Sequence, residues 1–462
     1  MSDIFEEYIQ RLIDNHNYGA NEYTNSLKSR EDYYAFLRPT YELCEKRELS
    51  CAELYRELLD KSFLKEKIER FIEVGKAAPG MVLEVGTLQH HDILVIGDSQ
   101  ELNDDGHTEV LKMQKDSIFD LSSITKVFSC VAMLKLIDLG IIDFDEKIAE
   151  IDRRFIHLSD VTVEDLLSFR TPLKTADRIE NALTFEDAER LIFEMMPDYT
   201  QTRLYTDMGA IVLKYVMESR TGMPLYELVR KYILDPCDMW DTVLTIESRN
   251  MHRVVSNNFE RRIRDNTYTV INDVTKGTVN DGKARKLERF NRQLYGHAGL
   301  FSTAEDMGKF ARGLMSGMIL KPKIVNKIGR NCTGKRLDNG GFSQFHGFLC
   351  YSKNPVAVNS EVNHWLSGNA FALGGYTGNQ LTIDYRNQLY IFMASNRCHN
   401  RITSVSGTAE GYVSGEEVAW PDGKKYICNK RYAYDRDDSV INPAIELAMQ
   451  YRLMEYLLER RK

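Results

Sequence analysis

The 462-residue chain lacks the marks of several large protein classes. Its eight cysteines, at 44, 51, 130, 237, 332, 350, 398 and 428, form no CxxC pair. That excludes a disulfide scaffold and predicts free thiols in a reducing compartment. No window approaches the roughly 18 apolar residues of a membrane span; the most apolar, Val127 to Ile142, is broken by Lys135 and Asp138. The opening MSDIFEEYIQR carries acids where a secretory leader needs a basic start and an apolar core. Together these features predict a cytoplasmic protein with no membrane partner. There is no HExxH and no Cys/His cluster, so no metal or other cofactor is expected. Thr333-Gly-Lys335 lacks the preceding glycine of a phosphate loop. Repeats and low-complexity tracts are absent too. Nor is basic charge in excess: 60 Lys+Arg stand against 68 Asp+Glu, a formal net charge of -8. That speaks against nucleic acid as a partner. The basic stretch Arg253 to Arg289 is interleaved with acids and reads as a solvated surface.

What remains is an ordinary globular composition, 43% hydrophobic and 28% charged. At roughly 150 residues per domain the length predicts two or three domains. Residues 1–64 read as a polar helical extension, and Leu64 to Val74 as a further helix before the Ala78-Pro79-Gly80 turn. Two β-rich runs, Met81 to Thr87 and Asp92 to Gly97, flank His90-His91 and predict an antiparallel hairpin. Helical periodicity then runs from Ser122 to Leu139 and dominates to about residue 236. The stretch from Leu244 to Leu294 reads as long surface connections. Thr303 is a candidate cap for a helix through Met315. Strand alternation returns over Phe371 to Asp384 and Gln388 to Ala394, followed by a polar excursion over 402–440 and a closing helix from Pro443 to Leu458. The expected class is α+β: an antiparallel sheet flanked by helices, with a largely helical second subdomain. The expected units are residues 1–64, 65–400 with a helical insert at about 140–290, and 401–462, whose final helix packs on the sheet.

Ser123-Ile-Thr-Lys126 fits S-x-x-K. With Ser123 in the first turn of a helix, Lys126 lies one turn on and on the same face. A serine hydroxyl needs an adjacent base to act as a nucleophile, and a lysine whose value falls to about 7 could serve. The pattern alone is weak, because Ser62-Phe-Leu-Lys65 fits it as well.

Company in a fixed order strengthens it. Asp120-Leu-Ser-Ser-Ile-Thr-Lys-Val-Phe128, Tyr205-Thr-Asp-Met-Gly209, Gly277-Thr-Val-Asn-Asp281, Gly296-His-Ala-Gly-Leu-Phe-Ser302 and Gly375-Tyr-Thr-Gly378 occur in that order. Together they resemble the serine β-lactamase and penicillin-binding-protein superfamily, in its class C-like, esterase-type branch, over roughly residues 65–400. The resemblance implies Ser123 as acyl-accepting nucleophile, Lys126 as its base and Tyr205 as a second acid/base. It implies the backbone N–H groups of Ser123 and, from the Gly374-Gly375-Tyr376 strand, of Tyr376 as the oxyanion donors. Asp207 is a candidate partner for Lys126 or the substrate. His297 is a candidate near the site, with a turn-stabilising role as its plainer reading; His364 has a weaker claim.

One departure matters. Where the superfamily has K-T-G or H-T-G, this chain has Leu373-Gly374-Gly375. The cation that receives a substrate carboxylate is missing, which favours a neutral ester or amide over a penicillin or a D-Ala-D-Ala stem. The leading expectation is therefore a serine hydrolase of small esters or amides. The alternatives are a peptidoglycan-fragment amidase, a D-amino-acid peptidase or β-lactamase-like enzyme, or a catalytically degenerate binding module. A homo-oligomer through residues 1–64 is a further expectation.

Overall fold

The computed structural model describes residues 3–17, 29–46, 49–201, 203–354, 361–406, 413, 415–428 and 440–460. In chain order the principal elements begin with helices α1 (Asp3–Asn17), α2 (Arg30–Lys46) and α3 (Cys51–Lys61), then strands β1 (Gly80–Thr87), β2 (His91–Leu102) and β3 (Thr108–Lys112). Helices α4 (Thr125–Asp138) and α5 (Met208–Thr221) precede the hairpin β4 (Glu260–Arg264) and β5 (Thr267–Ile271). Helices α6 (Gly282–Asn291) and α7 (Ala304–Met315) lead to β6 (Tyr351–Ser352), β7 (Phe371–Gly375), β8 (Asn379–Asp384) and β9 (Leu389–Ser395). Strands β10 (Arg401–Ser406), β11 (Glu417–Ala419) and β12 (Lys425–Cys428) and helix α8 (Ile441–Arg460) complete it.

Among the described residues, β6-β7-β8-β9-β1-β2-β3 form a seven-stranded antiparallel sheet built from both ends of the chain. Period-two alternation gives it two apolar faces. Met81, Leu83 and Val85 of β1, with Leu389, Ile391 and Met393 of β9, pack on α8 and the N-terminal helices. Val82, Tyr390, Phe392 and Ala394 point the other way, into a core shared with α4, α5 and α7. Burying both faces is what a central strand of such a layered fold requires. Helix α4 is buried on all sides over Thr125–Leu134, which accounts for its nearly continuous apolar sequence. The α+β class, with an antiparallel sheet flanked by helices, is the architecture observed.

Three readings are corrected. The stretch Leu244–Leu294 is not merely surface connection: it holds β4, β5 and α6. Asp265 and Asn266, both with positive φ (48° and 60°), make the two-residue turn between β4 and β5, the geometry that short hairpins favour. The run Phe371–Asp384 is two strands broken by Tyr376-Thr377-Gly378, with Gly378 at φ 113°. The stretch 402–440 is not all excursion: β10, β11 and β12 join β4 and β5 in a five-stranded sheet ordered β11-β12-β10-β4-β5. Residues 407–412, 414 and 429–439 of that stretch lie outside the described residues.

Candidate active site

Ser123 sits in a short 3₁₀ turn, Ser122–Ile124, that feeds directly into α4. The turn is built tightly: Ser122 adopts φ 49°, a left-handed conformation costly for a residue with a Cβ. Buried Asp120 holds it there. Its Oδ1 accepts the Ser122 N–H at 2.8 Å, its Oδ2 the Asn280 N–H at 2.7 Å, and its carbonyl the Thr377 hydroxyl at 2.8 Å. The carboxylate thus ties the turn before α4 to the segment before α6, and the carbonyl of the same residue ties it to the β7–β8 turn. Burial pushes the Asp120 carboxyl up to about 6, against the two backbone N–H bonds that favour its charge.

Lys126, fully buried, has three acceptors for the three protons of an ammonium. These are Ser123 Oγ at 3.0 Å, the His297 carbonyl at 3.1 Å and Asp207 Oδ1 at 2.8 Å. The expectation of a lowered lysine is not met. Burial does oppose the charge, but Asp207 and Tyr205 outweigh it and hold the ammonium above the ordinary lysine value. The Tyr205 ring centroid lies 5.1 Å from Lys126 Nζ. That ring stacks on Phe169 at 5.2 Å and on Tyr351 at 5.7 Å.

Asp207, just before α5, bridges to a second cation. Its Oδ2 lies 3.0 Å from Lys283 Nζ, which also reaches Asp281 at 3.4 Å, while Asp281 Oδ1 meets His297 Nε2 at 3.0 Å. Burial would raise both carboxyls. Lys126 and Lys283 instead hold Asp207 well below the usual carboxylate range, and His297 and Lys283 do the same for Asp281. Asp281 also caps α6 by accepting the Ala284 N–H at 2.8 Å. His297 enters through its carbonyl toward Lys126 and its ring toward Asp281. Its loop is pinned to α4 by Ser129, which donates to the Gly296 carbonyl at 2.8 Å.

The other wall is the end of β7. Gly375 comes so close to the serine turn that a Cβ there would meet the Leu121 carbonyl oxygen at 2.7 Å. The Tyr376 N–H donates to Ser122 Oγ at 3.2 Å, and its hydroxyl bonds Glu260 of β4. Glu260 also pairs with Arg262 at 2.9 Å. Ser123, Tyr205, Asp207, Asp281, Arg262 and Tyr376 line one cleft of about 370 Å³. Ser123, Lys126, Tyr205, Asp207, His297, Gly375 and Tyr376 are therefore brought together. Reading the sequence alone missed Asp120, Lys283, Glu260 and Arg262. The decoy pair does not share this setting: Ser62 ends α3, and Lys65 pairs with Asp60 at 3.1 Å. His364 packs beside Trp365, 5.7 Å between centroids, and does not line the cleft. Among the described residues no group of three or more His, Cys, Asp or Glu side chains could hold a metal ion, and no helix is long and apolar enough to cross a membrane. Among the described residues no two cysteines are joined in a disulfide.

Comparisons with known proteins bear on the family and the fold. Two relatives carry the provisional name D-alanyl-D-alanine carboxypeptidase. One, from Escherichia coli (strain K12), is 23% identical over 341 residues, covering 66% of this chain and 75% of that protein. The other, from Salmonella typhi, is 22% identical over 345 residues with the same coverage. Among solved structures, EstCE1, described as a hydrolase with promiscuous acyltransferase activity, superposes with a TM-score of 0.55 at 16% identity, over 77% of this chain and 96% of its own. An octameric penicillin-binding protein homologue from Pyrococcus abyssi gives a TM-score of 0.54 at 15% identity over 72% of each chain. The sequence profile of the Beta-lactamase family matches residues 68–404. The chain belongs to the β-lactamase family and is a serine hydrolase of that general type.

Proposed function

We propose that the chain cleaves a small, neutral ester or amide through an acyl-enzyme on Ser123. The observation that carries this reading is the contact of Lys126 Nζ with both Ser123 Oγ and Asp207. The resting site holds an ammonium; loss of one proton from the Lys126–Asp207 pair leaves a neutral amine beside the hydroxyl. That amine takes the Ser123 proton as Oγ bonds to the acyl carbon. The carbonyl oxygen gathers negative charge between the N–H groups of Ser123 and Tyr376, displacing Ser122 Oγ as the latter's acceptor. Each such donor is worth about 2.7–4 kcal/mol. When the adduct collapses, the bond to the alcohol or amine breaks, and the leaving group takes a proton through Tyr205, which regains one from Lys126. Water repeats the sequence on the acyl-enzyme to release the acid.

Neutrality of the substrate follows from charge. The cations at the cleft already face carboxylates: Lys126 and Lys283 face Asp207, Arg262 faces Glu260, and Arg285 faces Asp273 at 3.2 Å. Arg203 lies over the Tyr205 ring at 5.6 Å and is not among the residues that line the cleft. A terminal carboxylate such as that of a D-alanyl-D-alanine stem would have to break one of these pairs. The test is intact-mass spectrometry after brief exposure to activated esters, a fluorophosphonate and a penicillin. Labelling of wild type but not of Ser123→Ala is expected for the esters and the fluorophosphonate. No labelling across the panel would overturn the reading in favour of a binding module, and stoichiometric labelling by penicillin would overturn the claim of neutrality.

A further inference from the structure

Lys283 is an odd residue for its place in the fold. It stands in the first turn of α6, whose N-terminal dipole end disfavours a cation, and its side chain is only 15% exposed. Neither helix stability nor solubility accounts for a lysine there. Its contacts do: Asp207 Oδ2 at 3.0 Å, Asp281 Oδ2 at 3.4 Å and, more loosely, Glu180 at 4.0 Å. Burial works against its charge, and Asp207 and Asp281 together outweigh burial, so it stays an ammonium. The position where this family carries a cation on the sheet is Leu373 here, fully buried. The positive charge reaches the site from a different element.

We propose that Lys283 is a positioning residue of this site: it divides the Asp207 carboxylate between two ammonium groups and so sets how readily Lys126 releases the proton that frees it to act on Ser123. The inference rests on the hydrolase reading above. Without Lys283, the whole Asp207 charge, joined by that of Asp281, would bear on Lys126 and bind its proton more tightly. The other groups facing Lys126 and Asp207 would be unchanged. They are Ser123 on its own helix turn, Tyr205 from the segment before α5, and the His297 carbonyl and ring from the loop before α7. Glu180 and Arg285 stand further out along the cleft. The cation therefore acts through charge rather than through contact with substrate, and an arginine should replace it where a neutral side chain cannot.

The experiment follows acetylation of Ser123 by 4-nitrophenyl acetate, read as rate and as intact mass, from pH 6 to pH 10. In Lys283→Met the acidic limb of the profile should move upward by about one pH unit or more, a roughly tenfold lower rate along that limb. Lys283→Arg should restore the wild-type limb. Lys283→Gln keeps a donor between the two carboxylates without the charge; it should shift like the methionine variant and serves if that variant does not fold. A wild type that is acetylated on Ser123, with limbs that coincide in all folded variants, would overturn this inference and leave the hydrolase reading intact. A wild type that never acetylates Ser123 would overturn both.

Discussion

The Asp207 carboxylate spans a buried and a half-buried cation, with Oδ1 2.8 Å from Lys126 Nζ and Oδ2 3.0 Å from Lys283 Nζ. Burial alone would lower the Lys126 value; this neighbour first, and Tyr205 after it, raise it instead. Asp207→Asn should therefore move the acidic limb of Ser123 acylation to lower pH by at least about one unit, opposite to the effect of removing Lys283. The same change strips a fully buried ammonium of its counter-charge, a loss that costs on the order of 3–5 kcal/mol. Lys126→Met combined with Asp207→Asn removes both charges and should recover much of that stability in thermal unfolding. A double variant no more stable than Asp207→Asn would show that the pair is not energetically coupled.

Tyr205 packs by its ring on Phe169 and Tyr351 and is one of the residues that line the cleft. Tyr205→Phe keeps the stacking and deletes only the hydroxyl. Turnover of an activated ester should fall about 10²- to 10⁴-fold, the range for loss of a positioned acid/base, with the unfolding midpoint little changed. A loss smaller than tenfold would move the proton-shuttling role to another group.

How much of this was visible in the order of residues follows from distance along the chain. Ser123 and Lys126 are one helical turn apart, so their meeting is local and the spacing announces it. Tyr205 and Tyr376 came only from motif order, because nothing local says that they converge. Glu260, Arg262 and Lys283 went unread for a physical reason: charged residues in a polar stretch look solvated unless their partners are known, and Tyr376 and Asp207 are supplied by other segments. The Asp265-Asn266 turn flanked by Ile263 and Tyr268 was a readable hairpin signal that was overlooked. The sheet, whose strands alternate clearly at both ends of the main body, was the most legible part.

Gly375 is where close approach, rather than backbone freedom, demands glycine. Its added Cβ would lie 2.7 Å from a backbone oxygen of Leu121 and 3.4 Å from Ser122 Cβ. Backbone cannot swing aside as a side-chain tip can, so Gly375→Ala should push β7 away from the serine turn and cost about 1–3 kcal/mol. Because the Tyr376 N–H moves with the strand, kcat should fall further than KM rises. Unaltered kcat in a folded alanine variant would remove Tyr376 from the oxyanion role.

Beneath α7, Glu84 of β1 is fully buried, bonded by the Tyr390 hydroxyl at 2.5 Å and by Arg312 at 3.1 Å. Helix α7 crosses directly over it: a Cβ on Gly308 would collide with Oε1. Burial pushes this carboxyl up to about 7, more than Tyr390 and Arg312 pull it down. A carboxyl raised by folding contributes stability that is complete below its ordinary value of 4.5 and is lost as pH rises through about 7. Glu84→Gln removes the titration while keeping the shape. Wild type should therefore compare best with the variant near pH 5 and progressively worse toward pH 8, a swing on the order of 2–3 kcal/mol. Denaturant unfolding of the two proteins at matched pH measures it. A difference that stays constant across that range would mean that Glu84 remains ionised beside Arg312 throughout.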